Sequence, residues 1–285
     1  MPMTSSIFFP APAKLNLFLH INGRRADGYH ELQTLFQFID IHDELSFDIT
    51  DNGQLTLEPS LAGVKDDDNL IIRAAQLLKP FTTDNQGVQI TLHKNLPMGG
   101  GIGGGSSDAA TTLVVLNRLW QCGLDNQQLA QLGRQLGADV PIFIHGHAAF
   151  AQGIGEELTP AFPLEQFYLL LTPKVMVSTA KIFNHPNLPR CTPKFASEQY
   201  SYEKTTNDCQ SIVADHYPEV AQALKWLVEY APARMTGTGC CIFAPFATLQ
   251  AAKAVAERCP VQFQARICQG MNRSSLYKKL EELGL

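Results

Sequence analysis

Leu96-Pro97-Met98-Gly99-Gly100-Gly101-Ile102-Gly103-Gly104-Gly105-Ser106-Ser107-Asp108 sits between a strand-like run at 88–94 and a segment at 106–121 whose apolar residues recur at helical spacing. Six glycines fall in the seven positions 99–105. Glycine lets the main chain approach a bulky anion and turn its N–H groups inward, and the N-terminus of the following helix adds partial positive charge. Strand, glycine turn and helix in this order predict a phosphate-binding loop. A flexible linker is the rival explanation, but a linker gives no reason for Ser-Ser-Asp and a patterned helix to follow at once. Three common phosphate loops fail on the letters. A Walker loop needs Lys after its last glycine, where Ser106 stands. The dinucleotide fingerprint is met formally by Gly99, Gly101 and Gly104, yet the acid at the right distance, Asp125, falls between two predicted helices. The His-Arg-Asp and Asp-Phe-Gly signatures of protein kinases are missing.

Upstream, residues 13–22 alternate Leu15, Leu17, Leu19 and Ile21 with polar or mixed positions, the period of a strand with one buried face. Further strands are expected at 32–41, 44–50 and 54–58. Asp66, Asp67 and Asp68 precede an apolar-periodic segment at 69–78, where acids complement a helix N-terminus, so a cap is expected there and not a metal cluster. Downstream, a helix is expected over 126–136 and short strands near Ile142 and at 148–151. Prolines at 160–163 mark the boundary between two domains, 1–161 and 162–285. Beyond them a strand at 167–172, helices at 178–183, 208–214 and 218–230, strands at 234–236 and 241–244, a helix at 247–257, a strand at 261–267 and a last helix at 274–285 predict a second α+β unit.

Composition narrows the function classes. Hydrophobic residues at 45% and charged residues at 17% describe a chain that folds around a core. Its apolar runs fall well short of the ~20 residues that cross a bilayer, and residues 1–12 carry neither a basic nor an apolar leader region. A cytoplasmic protein with no membrane partner is expected. A net charge of −5 argues against nucleic acid as a partner, which would require a basic face. Seven cysteines, an odd number with no Cys-x-x-Cys spacing, are expected to be reduced thiols. His145 and His147 lack a nearby acidic or cysteine cluster and are expected to be structural, so no protein-built metal site is expected.

The glycine loop resembles that of the galactokinase, homoserine kinase, mevalonate kinase and phosphomevalonate kinase (GHMP) superfamily. Pro12-Ala13-Lys14-Leu15-Asn16-Leu17 looks like its first motif and Met235-Thr236-Gly237-Thr238-Gly239-Cys240-Cys241-Ile242-Phe243 like its third. Arg25-Ala26-Asp27-Gly28-Tyr29-His30-Glu31-Leu32, Gly137-Ala138-Asp139-Val140-Pro141 and Leu188-Pro189-Arg190-Cys191-Thr192-Pro193 are similar to segments of those members that phosphorylate the 2-hydroxyl of a cytidine-diphosphate-linked methylerythritol in isoprenoid precursor synthesis. The departures are Ile102, where leucine is usual, and Cys240, where Ala or Ser is common. The resemblance implies an α+β, two-domain fold: an N-terminal β-rich ATP domain and a C-terminal ferredoxin-like layered domain, with the site in the cleft between. It implies ATP with Mg2+ and a small-molecule acceptor; the oligomeric state is not legible in the letters beyond an expected monomer or weak dimer. Another alcohol acceptor, or a non-catalytic nucleotide- or RNA-binding domain, is the alternative.

Site roles follow from the same resemblance. Asp139 takes the proton of the acceptor hydroxyl, and Lys14 neutralises Asp139 and the transferring group. From the residues alone, Asp139 reads equally as a turn or N-cap carboxylate before Pro141, and Lys14 as a strand lysine in need of a partner. Pro97, Met98, Gly99, Gly100, Gly101, Ile102, Gly103, Gly104, Gly105, Ser106 and Ser107 would hold the phosphates, with Asn69 near the adenine. Lys94 is a phosphate or ribose neighbour, or a solvated strand-end lysine. Tyr29 and Phe183 would stack on the pyrimidine and His30 address its edge, unless Tyr29 is a packing residue and His30 a surface histidine. Asn16 and Thr179 add polar contacts to the substrate. Magnesium would be held by phosphates, water and one hydroxyl of Ser106 or Ser107.

Overall fold

A computed structural model describes residues 7–61, 63–65, 68–82 and 85–285. Strand β1 (Phe9–Arg24) pairs antiparallel with β2 (His30–Thr50) along nearly their whole length. The other edge of β2 is divided: β4 (Gly87–His93) pairs with its C-terminal third, β5 (Ala149–Gln152) with Thr34–Phe36, and β10 (Gln264–Met271) with Phe38 and Ile39. Strand β3 (Leu55–Glu58) extends the sheet beyond β4, and β6 (Glu157–Pro160) pairs with β5. The runs expected at 32–41 and 44–50 are therefore one strand. The intervening His42 and Asp43 stay extended because β1 pairs across them through Pro12 and Ala11.

Helices α1 (Leu70–Leu78), α2 (Gly104–Leu119), α3 (Asn126–Arg134) and α4 (Val140–His145) cover one face of this sheet, and α9 (Ser275–Leu283) returns to it from the C-terminus. Asn69 caps α1, its Oδ1 accepting from the Ile71 N–H at 2.9 Å. Asp66 and Asp67, expected to serve that end, lie outside the described residues. The strand expected near Ile142 is instead α4, with Pro141 in its first turn and Gly146 closing it at φ +71°. Val140 to Ile144 are all buried, so the apolar run carries no period to tell strand from helix.

The second half is built on β7 (Phe167–Thr172), β8 (Arg234–Met235), β9 (Ile242–Phe246) and β10, with α5 (Thr179–Phe183), α6 (Gln210–His216), α7 (Pro218–Leu227) and α8 (Leu249–Ala256). Its strands lie in the order β10-β7-β9-β8, all antiparallel, the split βαβ arrangement of a ferredoxin-like sheet. Strand β10 begins three residues later than expected because Val261 is left 98% exposed by the preceding turn.

Three apolar clusters follow from these layers. One lies under α1, α2 and α4, and one between the second sheet and α6 to α8. The third joins the halves: Leu15, Leu17, Ile39 and Ile102 meet Tyr168, Leu170 and Phe243. Strand β1 is accordingly buried without a break from Ala11 to Ile21, on both faces and not one. Lys14 and Asn16 are thus polar groups inside the protein, on the face that opens to a cleft. All seven cysteines are free. Among the described residues no helix is long and apolar enough to cross a membrane.

Candidate active site

The cleft encloses about 580 Å³, and residues of the first motif, the glycine loop, the Asp139 turn and the third motif all line it. The loop is held by main-chain bonds on both sides. Ile102 O accepts from the Lys14 N–H at 3.0 Å, and Gly99 O and Gly100 O accept from the N–H groups of Cys240 and Cys241. Gly101, at φ +75°, is where these segments press together: a Cβ there would stand 2.3 Å from Thr236 O. Gly103, at φ +76°, forms the N-cap of α2 with no side-chain cap bond, so the first-turn N–H groups face the cleft without an intrahelical acceptor. Pro97 to Gly101 and Gly103 to Ser106 line the cleft. Ile102 does not: its side chain is fully buried and anchors the loop in the third cluster. Ser107 also turns away, donating to Pro12 O at 2.7 Å, and leaves Ser106 as the serine at the wall.

Lys14 is 2% exposed, and its three donors are used. Nζ donates to Asn16 Oδ1 at 2.6 Å and to Gly101 O at 3.0 Å, pairs with Asp139 Oδ2 at 3.2 Å, and lies 5.3 Å from the centre of the Phe36 ring. The Asn16 amide has one orientation that satisfies both ends. Its Nδ2 donates at 2.9 Å to Thr34 Oγ1, which must accept because it donates to Phe18 O at 2.5 Å. Thr236 joins the motifs, accepting from the Asn16 N–H at 2.9 Å and donating to Gly101 O at 3.3 Å. Asp139 occupies the N-cap of α4 but makes no cap hydrogen bond. Its carboxylate serves Lys14 and remains 37% exposed towards the cleft.

Lys94 lines the cleft too, and it is no solvated strand-end lysine. Its Nζ lies 2.5 Å from Asp43 Oδ2 and 2.7 Å from Asp108 Oδ2. Burial lowers its pKa, and the two carboxylates outweigh that and hold it above the ordinary lysine value. Asp43 also accepts from the N–H groups of Asn95 and Leu96 at 2.6 and 2.8 Å, whereas Asp108 Oδ1 is buried with no partner among the described residues. Burial pushes the Asp108 carboxyl up to about 7, against the pull of Lys94 and with help from the Asp43 charge. A carboxyl whose pKa is higher folded than unfolded binds its proton more tightly in the folded state. Between about 4 and about 7 stability therefore falls as pH rises. Asp108→Asn removes this titration, so its melting temperature should drop less than the parent's between about pH 5 and about pH 8, by on the order of a few degrees. Equal drops in thermal melts of both would place the proton elsewhere.

At the other end of the cleft stand Phe183 and Thr179, whose Oγ1 lies 2.8 Å from Thr238 Oγ1. Asn69 reaches the wall from the start of α1. His30 is 6% exposed and stacks on Phe183, ring centres 5.3 Å apart and planes at 28°. Tyr29 is 59% exposed on the preceding turn, and neither it nor His30 lines the cleft directly, His30 standing behind Phe183. Cys240 is buried, its Sγ 3.5 Å from Pro173 O, and does not narrow the site. Sequence reasoning missed Thr34, Phe36, Asp43 and Asp108. Only Asp108, beside the glycines, carried a local signal; the others are isolated letters in strand-like runs. Among the described residues no group of three His, Cys, Asp or Glu side chains gathers, at His145 and His147 or elsewhere.

The sequence matches the GHMP kinases N terminal domain over residues 69–147 and the GHMP kinases C terminal region over 197–264. A 4-diphosphocytidyl-2-C-methyl-D-erythritol kinase of Shewanella loihica is 56% identical over 283 residues, spanning 99% of this chain and 100% of that one. The enzyme of the same name from Shewanella oneidensis is 55% identical over 95% of this chain and 96% of its own. A crystal structure of a 4-(cytidine 5'-diphospho)-2C-methyl-D-erythritol kinase superposes with a TM-score of 0.81 at 31% identity, covering 93% of this chain and 99% of that one. Mevalonate kinase of Methanococcus jannaschii, 14% identical, shares the fold with a TM-score of 0.66 over 95% of this chain and 100% of its own. The chain belongs to the 4-diphosphocytidyl-2-C-methyl-D-erythritol kinases of the GHMP kinase family.

Proposed function

We propose that the chain moves the γ-phosphoryl group of ATP to the 2-hydroxyl of 4-diphosphocytidyl-2-C-methyl-D-erythritol, with Asp139 as proton acceptor and Lys14 as the neutralising cation. The observation that carries these roles is the Lys14–Asp139 pair, 3.2 Å apart at the point where the glycine loop and the Asp139 turn face each other. Phosphoryl transfer passes through a loose transition state with its charge on the equatorial oxygens, so positioning and charge neutralisation are most of what a protein supplies. The N-terminus of α2 and the loop's main-chain N–H groups favour the phosphates, and Lys14 is held where charge builds on the group in flight.

Magnesium bound together with ATP would add neutralising charge at the phosphates. Ser106, at the cleft wall with its hydroxyl unpaired among the described residues, fits it as a ligand; Ser107, committed to Pro12 O, does not. Asn69 would lie against the adenine, Lys94 would face the nucleotide, and Asn16 and Thr179 would meet the acceptor. Phe183 and His30 would hold the cytosine, with Tyr29 brought to its open face by movement of the exposed turn. A monomer or weak dimer, working in the cytoplasm as suits an ATP-dependent biosynthetic kinase, completes the reading. A division at residue 161 puts the glycine loop in the first domain and Thr179 and Phe183 in the second.

ADP release measured over a panel of alcohols tests the assignment. The cytidine-diphosphate-linked methylerythritol should be turned over at least ~10²-fold more efficiently, in kcat/KM, than mevalonate, homoserine or the free sugar alcohol, because binding of the remote nucleotide aids the reacting end. Comparable rates on any of these would overturn it.

A further inference from the structure

The Arg190 side chain is the most heavily committed group around the pyrimidine end of the cleft. Its Nη2 donates to Phe183 O at 3.2 Å and His185 O at 2.8 Å, and its Nη1 to Leu188 O at 3.1 Å and Pro186 O at 3.4 Å. The remaining N–H, on Nε, points at His30 Nε2 from 3.1 Å. A guanidinium has five donors and no acceptor and keeps its proton at any physiological pH, so this bond can run in one direction only. His30 Nε2 must present a lone pair. The imidazole is then neutral and its single ring proton sits on Nδ1, while the ring's one side-chain hydrogen bond among the described residues is the one to Arg190 through Nε2. Burial and the charges of Arg190 and Arg24 hold the His30 pKa below the ordinary histidine value, in keeping with a neutral ring.

We propose that Arg190 is a positioning residue for base selection: by fixing His30 as the Nδ1–H tautomer, it makes the ring a donor that suits the unprotonated N3 of cytosine and refuses the N3–H of uracil. This rests on the assignment of His30 as the base reader made above. Cytosine and uracil differ along this edge only in hydrogen-bonding sense, so stacking on Phe183 holds both equally and cannot choose. The imidazole plane lies within 28° of the Phe183 ring, so a base bonded edge-on to Nδ1 in that plane would be held close to parallel with the phenyl ring. Without Arg190 the ring is free to take the other tautomer, whose Nδ1 lone pair accepts from uracil N3–H. The same guanidinium ties the Phe183 carbonyl and the turn after α5 to His30, so one side chain sets both the stacking ring and the reading edge.

Two measurements test this. Proton-coupled 15N NMR of the histidine-labelled, otherwise unmodified chain, with His30 assigned by its loss in His30→Gln, should show His30 neutral and protonated on Nδ1 near pH 7. The Nε2–H tautomer or a doubly protonated ring would overturn the proposal, whatever any variant does. Steady-state kinetics with cytidine- and uridine-diphosphate-linked methylerythritol should give a kcat/KM preference for cytidine that falls by about tenfold or more in Arg190→Met, with the KM for ATP unchanged. A folded Arg190→Met that keeps the parent's preference overturns the tautomer role. His30→Ala separates the two layers of the argument. If it abolishes the preference while Arg190→Met preserves it, His30 reads the base and Arg190 does not govern it. If His30→Ala also preserves the preference, the base assignment itself fails.

Discussion

Asp139→Asn is expected to lower turnover by ~10²-fold or more while leaving the KM for both substrates within a few-fold of the parent. An alcohol is a far weaker acid than a carboxylic acid of pKa ~3.9, so Asp139 cannot ionise the acceptor in the ground state. It can take the proton only as the new O–P bond forms, and its value therefore lies in the transition state. Asparagine keeps the size and one carbonyl oxygen that can turn to accept from Lys14 in place of Asp139 Oδ2, but loses the basic oxygen and the charge. Asp139 stands at the N-cap of α4 without capping it, so the helix loses nothing by the exchange. Lys14 retains Asn16 Oδ1 and Gly101 O. A melting curve close to the parent's is the accompanying expectation. Steady-state kinetics with both substrates decides the matter: near-normal turnover in a folded Asp139→Asn would leave the carboxylate as no more than a counter-ion and require another base.

What could be read in the letters and what could not divide along the distance between interacting residues. The glycine run, the Ser106 turn and the start of α2 are a local device, legible because each letter acts on its immediate neighbours. Strand β7 was legible to the residue, since an apolar run bounded by Gln166 and Pro173 has few other uses. Lys14 was legible only as a misfit, a charge in an apolar strand. Its partners come from residues 101 and 139, and the brace behind Asn16 from Thr34 and from Thr236, 220 positions away. No period or spacing reports such bonds. Asp43 and Lys94 met the same limit. Each sits at the polar end of a strand-like run, and only the β2–β4 pairing makes them an ion pair, with Asp108 closing it from α2. Ile142 failed for another reason. A segment buried on every side has no exposed face, so the pattern that separates helix from strand is erased by the packing that stabilises it.

Gly101→Ala should be nearly as damaging as loss of Asp139, through geometry and not chemistry. The residue sits at φ +75°, where an L side chain costs roughly 1–2 kcal/mol. The larger penalty is steric. The added methyl would lie 2.3 Å from Thr236 O and 3.0 Å from Gly239 O, and these are main-chain atoms of the third motif, not the flexible end of a side chain. One of the two loops must move. Because Gly101 O receives both Lys14 Nζ and Thr236 Oγ1, that movement withdraws an acceptor from Lys14 and loosens the tie to Asn16. A displacement of about 1 Å at the reacting groups is enough to cost ~10²-fold in rate, so kcat/KM for ATP should fall by that order. Residues of the layers below are untouched: Ile102 stays seated in the third cluster, and circular dichroism should remain that of the parent. Gly100→Ala is the control, since its Cβ would meet the Cys241 sulfur at 2.8 Å and Pro97 Cγ at 3.2 Å, side-chain atoms, at a residue whose φ is not positive. It should lose roughly tenfold less than Gly101→Ala, in proportion to a backbone that need not shift. Isothermal calorimetry with a non-hydrolysable ATP analogue, followed by kinetics on both variants, gives the comparison. Equal losses would mean that glycine at 101 serves flexibility alone and that the close approach to Thr236 carries no function.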